Sequence, residues 1–339
     1  MDLDTLLTTV YVWVDDWYKE HGAAWRRRMG RPCRMSDSEV LTLGIVGQWR
    51  AGVPWRSERG LVRYMQRHGL GWFPHMLQGS GYNYRVRQLW SVFVRLQQAW
   101  GQRLNQSTEV YEVVDSVPLP AFSLAQGRKP RQRHWLSDAA LGTSKQGWFW
   151  GHRWLVSLLP SGALTGWTLA PANVQDRWLL QALLSARTDG FIHLLPPPPL
   201  GYVKPKRRPR PPVQRIRHPL TAGMATSRPY LADQGFNGAA WLQHWLGHYR
   251  ATVLTEPSPQ SPPDPRWDAP NRRWLHQHRQ VIETAFAVLT SVFDLKHLGA
   301  HSDWGQLTRL AAVGAAYNFG IACNRLLQRS DLTLQTLLC

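Results

Sequence analysis

Acid is scarce in this chain. Its 339 residues hold 22 Asp and Glu against 40 Lys and Arg, a formal net charge of +18 with a pI near 10.6. Most globular proteins lie closer to neutrality, so the imbalance points to a polyanionic partner. Cysteine is nearly absent. Cys33, Cys323 and Cys339 are too few and too scattered for a disulfide framework or a zinc ribbon. Long apolar runs are missing too: the best candidate, Leu310 to Cys323, spans 14 residues and contains Asn318, short of the roughly 18 that a membrane span needs. The opening MDLDTLLTTVYVWVDDWYKE carries acid where a secretory signal needs base. What is plentiful is core material. Hydrophobic residues make up 43% of the chain, with 19 Trp, which excludes a disordered tail protein. The length suits one large domain or two of ordinary size. These features predict a soluble, cytoplasmic protein whose leading partner is nucleic acid, ahead of an anionic membrane surface.

The first hundred residues read as helices. Ser36-Asp37-Ser38-Glu39 is a capping box, followed by Val40, Leu41, Leu43, Ile45 and Val46 at helical spacing. Gly30, Gly52-Val53-Pro54 and the stretch from Gly69 to Pro74 punctuate the region. A further helical stretch runs from about Tyr84 to Leu104, with Val86, Leu89, Val92, Val94, Leu96 and Trp100 on its apolar face. The pattern predicts an all-helical N-terminal domain over residues 1–105. Its arginines Arg26, Arg27, Arg28, Arg31 and Arg34 are candidates for contact with a DNA end, although an arginine run is also an ordinary solvated face.

From Thr108 the period changes. Val110 to Asp115 is a short β-rich run ending on a carboxylate. Gly147 to Leu159 and Gly162 to Leu169 read as strands joined by a Pro160-Ser161-Gly162 turn. Asp176 to Leu184 reads as a helix, Arg228 to Asp233 as a strand ending on a second carboxylate, Gly238 to Leu246 as a helix and Tyr249 to Leu254 as a strand. Arg279 to Leu295 is an amphipathic helix with Ile282, Phe286, Leu289 and Phe293 inward. The layout predicts a mixed α/β domain over residues 106–339, and such sheets place their sites at the carboxyl ends of strands. No internal repeat interrupts it.

One segment stands apart. Pro196 to Pro199 is a four-proline run, Tyr202 to His218 holds seven Lys or Arg, and no acid occurs from Phe191 to Ala232. Proline at this density forbids helix and disfavours a central strand, so a basic insertion at about 195–228 is expected to be extended or disordered. It reads either as a phosphate-binding arm, through Lys204, Lys206, Arg207, Arg208 and Arg210, or as a solvated insertion kept soluble by charge. A second proline-rich stretch, Glu256 to Pro270, reads as a linker.

Three carboxylates are placed for chemistry: Asp115 and Asp233 at predicted strand ends, and Glu283 on a helix. Two Mg²⁺ ions about 3.5–4 Å apart need hard oxygen ligands converging from separate elements. Spacing alone does not choose this trio, since Asp138, Asp176, Asp189, Asp264 and Asp294 compete, and a strand-ending Asp is often only a turn former or N-cap.

The flanking residues add a resemblance. Val113-Val114-Asp115-Ser116-Val117-Pro118-Leu119-Pro120 resembles the first catalytic block of bacterial insertion-sequence transposases of the DDE class. Tyr230-Leu231-Ala232-Asp233-Gln234-Gly235-Phe236 is similar to the second, and Arg279-Gln280-Val281-Ile282-Glu283-Thr284-Ala285-Phe286 to the third. Phe149-Trp150-Gly151-His152-Arg153-Trp154 and Met35-Ser36-Asp37-Ser38-Glu39-Val40-Leu41-Thr42 resemble two further blocks, so the likeness runs from about Met35 to Ala300. It departs where relatives often carry Tyr before the Arg and Lys after the Glu. Here those positions are His276 and Thr290, with Lys296 or His278 as possible substitutes.

The resemblance implies a ribonuclease-H-like catalytic core and a Mg²⁺-dependent transposase, with Mn²⁺ as a substitute ion. Asp115, Asp233 and Glu283 would be the catalytic metal ligands for two ions. Arg279, one helical turn before Glu283, would clamp a phosphate or hold the Glu, unless it is a plain surface pair. Lys129, Arg131 and Arg133 are expected to hold phosphates beside the metals. His152 and Arg153 would either touch DNA or belong to a Trp-rich core strand, and one or two Trp would stack on a flipped base. The implied partners are double-stranded DNA (element terminal inverted repeats and target DNA) and a second copy of the chain in a synaptic complex. A nuclease on the same core, and a non-catalytic DNA-binding relic or repressor, are the competing readings.

Overall fold

The computed structural model describes all residues except 23–32, 106–109, 128–135, 145–146, 190–226, 258–266 and 339. Among the described residues the helices are α1 (Leu3–His21), α2 (Asp37–Val46), α3 (Glu58–His68), α4 (Gly79–Gln88), α5 (Trp90–Leu104), α6 (Leu124–Gly127), α7 (Asp176–Asp189), α8 (Ala239–Tyr249), α9 (Ala269–Phe293) and α10 (Asp303–Leu326). The strands are β1 (Glu112–Phe122), β2 (Ala140–Ser144), β3 (Gly147–Leu158), β4 (Leu164–Pro171), β5 (Tyr230–Leu231) and β6 (Val253–Leu254). The fold is mixed α/β. None of the described helices is long and apolar enough to cross a membrane.

The chain divides into two compact units, one of Met1–Trp100 with Ala287–Cys339, the other of Gly101–Phe286. The expected boundary near residue 105 lies close to the first division, but the C-terminal segment does not belong with the sheet. Its helix α10 is buried from Leu310 to Ile321 on nearly every face, so it must be surrounded by other helices. Phe319 packs edge-on against Trp13 at 5.0 Å and Trp100 at 5.3 Å between ring centroids, and Asn318 Nδ2 donates to the Gln97 carbonyl at 2.8 Å. In the same unit, α2 starts where the capping box places it: Ser36 Oγ accepts from the Glu39 backbone at 3.1 Å, and the Glu39 carboxylate accepts from the Ser36 backbone. The expected helix over 84–104 is two helices, broken at Leu89.

In the second unit the sheet order is β2-β3-β1-β5-β6, with β4 also paired to β3. β3 runs antiparallel to β1, β2 and β4, whereas β5 and β6 run parallel to β1. The β3–β4 hairpin turns at Pro160-Ser161-Gly162 as expected, with Gly162 at φ +88°. One expectation fails here: β1 does not end at Asp115 but continues through Pro118 and Pro120 to Phe122. No strand was expected at β2. Alternation explains why those prolines are tolerated. The Glu112 N–H donates toward β5, to the Pro229 carbonyl at 2.9 Å. Residues 118 and 120 present their nitrogens on that same edge, where β5 pairs no farther than Val113, so no ladder bond is lost. Helix α9 begins ten residues before the expected Arg279, inside the supposed linker. The Asp268 carboxylate caps it by accepting from the Asn271 N–H at 2.9 Å, with Pro270 in the first turn.

Helix α7 lies across one face of the sheet. Leu179, Leu180, Leu183 and Leu184 pack with Val114, Leu155, Ala232, Trp241 and Trp245. Its first residue, Asp176, accepts from Ser116 Oγ at 2.5 Å, and near its other end Arg187 donates to Glu112 Oε2 at 2.9 Å. Eleven helical residues rise about 16 Å and four strand residues about 13 Å, so α7 runs antiparallel to β1 and fastens it at both ends.

Candidate active site

The parallel register builds the site. Glu112 pairs with Tyr230 and Val113 with Leu231. Asp115 and Asp233 each lie two residues beyond the last pair, which puts them on one face of the sheet. Asp233 keeps an extended backbone at φ −78°, ψ 176°, and its carboxylate accepts from the Gly235 N–H at 2.8 Å. It is therefore a cap as well as a candidate ligand. Gly235 is required by closeness: a Cβ there would sit 2.9 Å from Asp233 Oδ1 and 3.7 Å from Asp176 Oδ2.

Asp115 is three-quarters buried, with its side chain 23% exposed. Its Oδ1 accepts from the Ser116 N–H at 2.7 Å, and Arg279 Nη2 lies 3.5 Å from its Oδ2. Burial first, then the negative charge of Asp233, raise its pKa to about 7 against the Ser116 hydrogen bond and the Arg279 charge; Asp176 adds to the rise. Asp115, Asp233 and Asp176 are thus electrostatically coupled. Asp176 is itself held by Arg153, whose Nη1 lies 3.1 Å from Oδ1 and whose Nη2 donates to the Thr143 carbonyl at 2.9 Å.

Two neighbouring carboxylates are hard donors suited to a divalent cation. Glu283 lies on α9. It is exposed, Arg279 turns to Asp115 rather than to it, and no group of three or more His, Cys, Asp or Glu close enough to hold a metal occurs among the described residues. Glu283 does follow Arg279 by one turn of α9, about 6 Å along the axis and on the same face.

Comparison with protein-family models, curated proteins and solved structures finds no match.

Of the other expected residues, His152 is buried at 3% exposure within β3, so it is not a surface contact for DNA. Arg153 is committed to Asp176, Ser116 and Thr143. Arg26, Arg27, Arg28, Lys129, Arg131, Arg133, Lys204, Lys206, Arg207, Arg208 and Arg210 lie outside the described residues. So do Asp264 and the side chain of Asp189, while Asp138 is buried and Asp294 holds His297 at 2.9 Å. His276 pairs with Glu256 at 3.0 Å, His278 stacks on Trp274 at 4.2 Å, and Lys296 belongs to the helical unit. Trp49, Trp55, Trp100, Trp154, Trp167 and Trp245 are wholly buried and serve packing.

Sequence reasoning missed the buried network behind the site. Arg187 Nη1 donates to the Tyr230 hydroxyl at 2.7 Å, and its Nη2 to Glu112 at 2.9 Å and Thr165 at 2.9 Å. Burial opposes the Arg187 charge, but Glu112 and Tyr230 more than offset it and raise its pKa above the ordinary range. Ser157 and Thr165 also donate to the Glu112 carboxylate. No local pattern marks this network, because its members lie on five elements.

Proposed function

We propose that the chain is an insertion-sequence transposase of the DDE class, cutting element ends and joining them to target DNA. The observation that carries this reading is that Asp115 and Asp233 each follow by two residues the last paired positions of the parallel strands β1 and β5, where burial first and then the Asp233 charge raise Asp115 to about 7. The sheet order supports a ribonuclease-H-like core: an antiparallel group around β3 and β1, then two strands parallel to β1. The net charge of +18 supports double-stranded DNA as the partner. Processing of two ends calls for a homodimer.

Asp115 and Asp233, joined by Glu283, would hold two Mg²⁺, which supply Lewis-acid activation of a water or 3′-hydroxyl and stabilise the leaving oxygen. Arg279 keeps part of the Asp115 charge in place and offers its remaining donors to a phosphate oxygen. Arg153 and Ser116 fix Asp176 beside the pair. Cleavage and joining are both in-line displacements, so one arrangement serves both.

The test uses the full chain, labelled DNA carrying the flanking element's ends, and Mg²⁺ or Mn²⁺. Wild type is run beside Asp115→Asn, Asp233→Asn and Glu283→Gln, scoring nicks and joined products. Nicking and joining by wild type alone is the expected result. Nicking without joining would mean a nuclease on this core. Metal-independent binding with no nicking in any protein would mean a DNA-binding relic. Full activity in Glu283→Gln would remove that residue from the ligand set.

A further inference from the structure

Most described arginines of the helical unit have an internal use. Arg85 donates to Asp37, Arg309 lies 3.4 Å from Glu58 and donates to the Leu298 carbonyl at 2.7 Å, Arg325 pairs with Asp331 at 2.9 Å, and Arg87 sits 5.4 Å over the Trp304 ring. Helix α3 is different. Arg59, Arg63 and Arg67 follow one another at four-residue spacing, all exposed, with exposed Arg56 just before the helix. At 100° per residue the three fall within about 80° of arc, roughly opposite the buried Leu61, Val62 and Met65. Among the described residues no acceptor holds any of the four. The one acid of α3, Glu58, is engaged by Arg309 and by Asn83 Nδ2 at 2.6 Å, so it does not neutralise the stripe.

Like charges at i, i+4 destabilise a helix. Three in succession, without partners, form a surface matched to an external polyanion. Consecutive arginines rise about 6 Å, so Arg59 to Arg67 spans about 12 Å, while a DNA duplex presents a phosphate charge about every 1.7 Å of axis. We infer that the arginine face of α3, with Arg56, docks on the phosphate backbone of double-stranded DNA and supplies sequence-independent affinity. This rests on the DNA-partner reading above, and it names a surface different from Arg26, Arg27 and Arg28.

The test is fluorescence anisotropy of the full chain with a labelled duplex of unrelated sequence across a NaCl series. Arg59→Gln/Arg63→Gln/Arg67→Gln is compared with wild type, with the charge-keeping Arg59→Lys/Arg63→Lys/Arg67→Lys, and with Arg103→Gln/Arg250→Gln/Arg329→Gln, which removes equal charge elsewhere. Each lost phosphate contact lowers the slope of log affinity against log salt by about 0.9. The expected result is a slope smaller by about two to three in the α3 glutamine variant alone, with a melting temperature equal to or above wild type. Wild-type binding with an unchanged slope in that variant would overturn the inference and leave the DNA reading standing. Equal slope losses in both glutamine variants would overturn it too, since bulk charge would then suffice. Absence of duplex binding by wild type would overturn both readings.

Discussion

Glu112 and Arg187 form an ion pair with neither side chain exposed to solvent. Glu112 is also the register partner of Tyr230, whose hydroxyl Arg187 holds. One guanidinium thus ties β1 to β5 three residues before Asp115 and Asp233. A pair this deep is an unpromising source of net stability, and Glu112 Oε1 and Arg187 Nε have no hydrogen-bond partner among the described residues. Its contribution is placement: it fixes the register that brings the two aspartates level.

Removing one member alone should therefore be severe. Arg187→Leu leaves a buried, unpaired carboxylate and should cost about 3–5 kcal/mol in urea denaturation, whereas Glu112→Leu/Arg187→Leu should recover most of that loss. If the folded double variant nonetheless loses catalysis, register is what the pair supplies. A cost below about 1 kcal/mol for Arg187→Leu would place the arginine in water rather than in the core.

At Gly235 a side chain competes with the carboxylate itself. The Cβ of Gly235→Ala would stand 2.9 Å from Asp233 Oδ1, so the Asp233 side chain must swing away or the turn must open. Because φ there is not positive, the backbone tolerates alanine. We expect a stability loss under about 1 kcal/mol together with at least a tenfold loss of metal-dependent cleavage. Cleavage at the wild-type rate would show that Asp233 can move freely.

A backbone contact constrains Gly151. A Cβ on this β3 residue would come within 2.0 Å of the Leu119 carbonyl oxygen, opposite Pro120. Gly151→Ala must push β3 from β1, at a cost of about 1–3 kcal/mol or more. A thermal melt matching wild type would mean that the two strands part readily.

These contacts mark where sequence stopped being informative. The capping box at Ser36, the turn at Gly162 and the run of β5 toward Asp233 were legible because each is a local signal. The passage of β1 through Pro118 and Pro120 was not, since it depends on which strand edge lacks a neighbour. Arg187 lies 75 residues from Glu112 in the chain, and no spacing announces such a pair. Asp176 stood among the competing carboxylates, but its link to Ser116 exists only once α7 lies on the sheet. Helix α10 carried a plain apolar signal whose partners were nevertheless hidden.

The raised Asp115 pKa makes stability depend on pH, and on the proposed reading it makes ion binding depend on pH in the opposite direction. In the folded chain Asp115 keeps its proton to about pH 7, whereas in the unfolded chain it loses it near 3.9. Between those values the folded state binds more protons, so this group's contribution to stability falls as pH rises from about 4 to about 7. With chelator present, Asp115→Asn should remove that fall and melt above wild type at about pH 8, with a smaller gap near pH 5. On the proposed reading Mg²⁺ would have to displace the proton, so it should raise the wild-type melting temperature more at the higher pH. Parallel pH curves for wild type and Asp115→Asn would refute the raised Asp115 pKa.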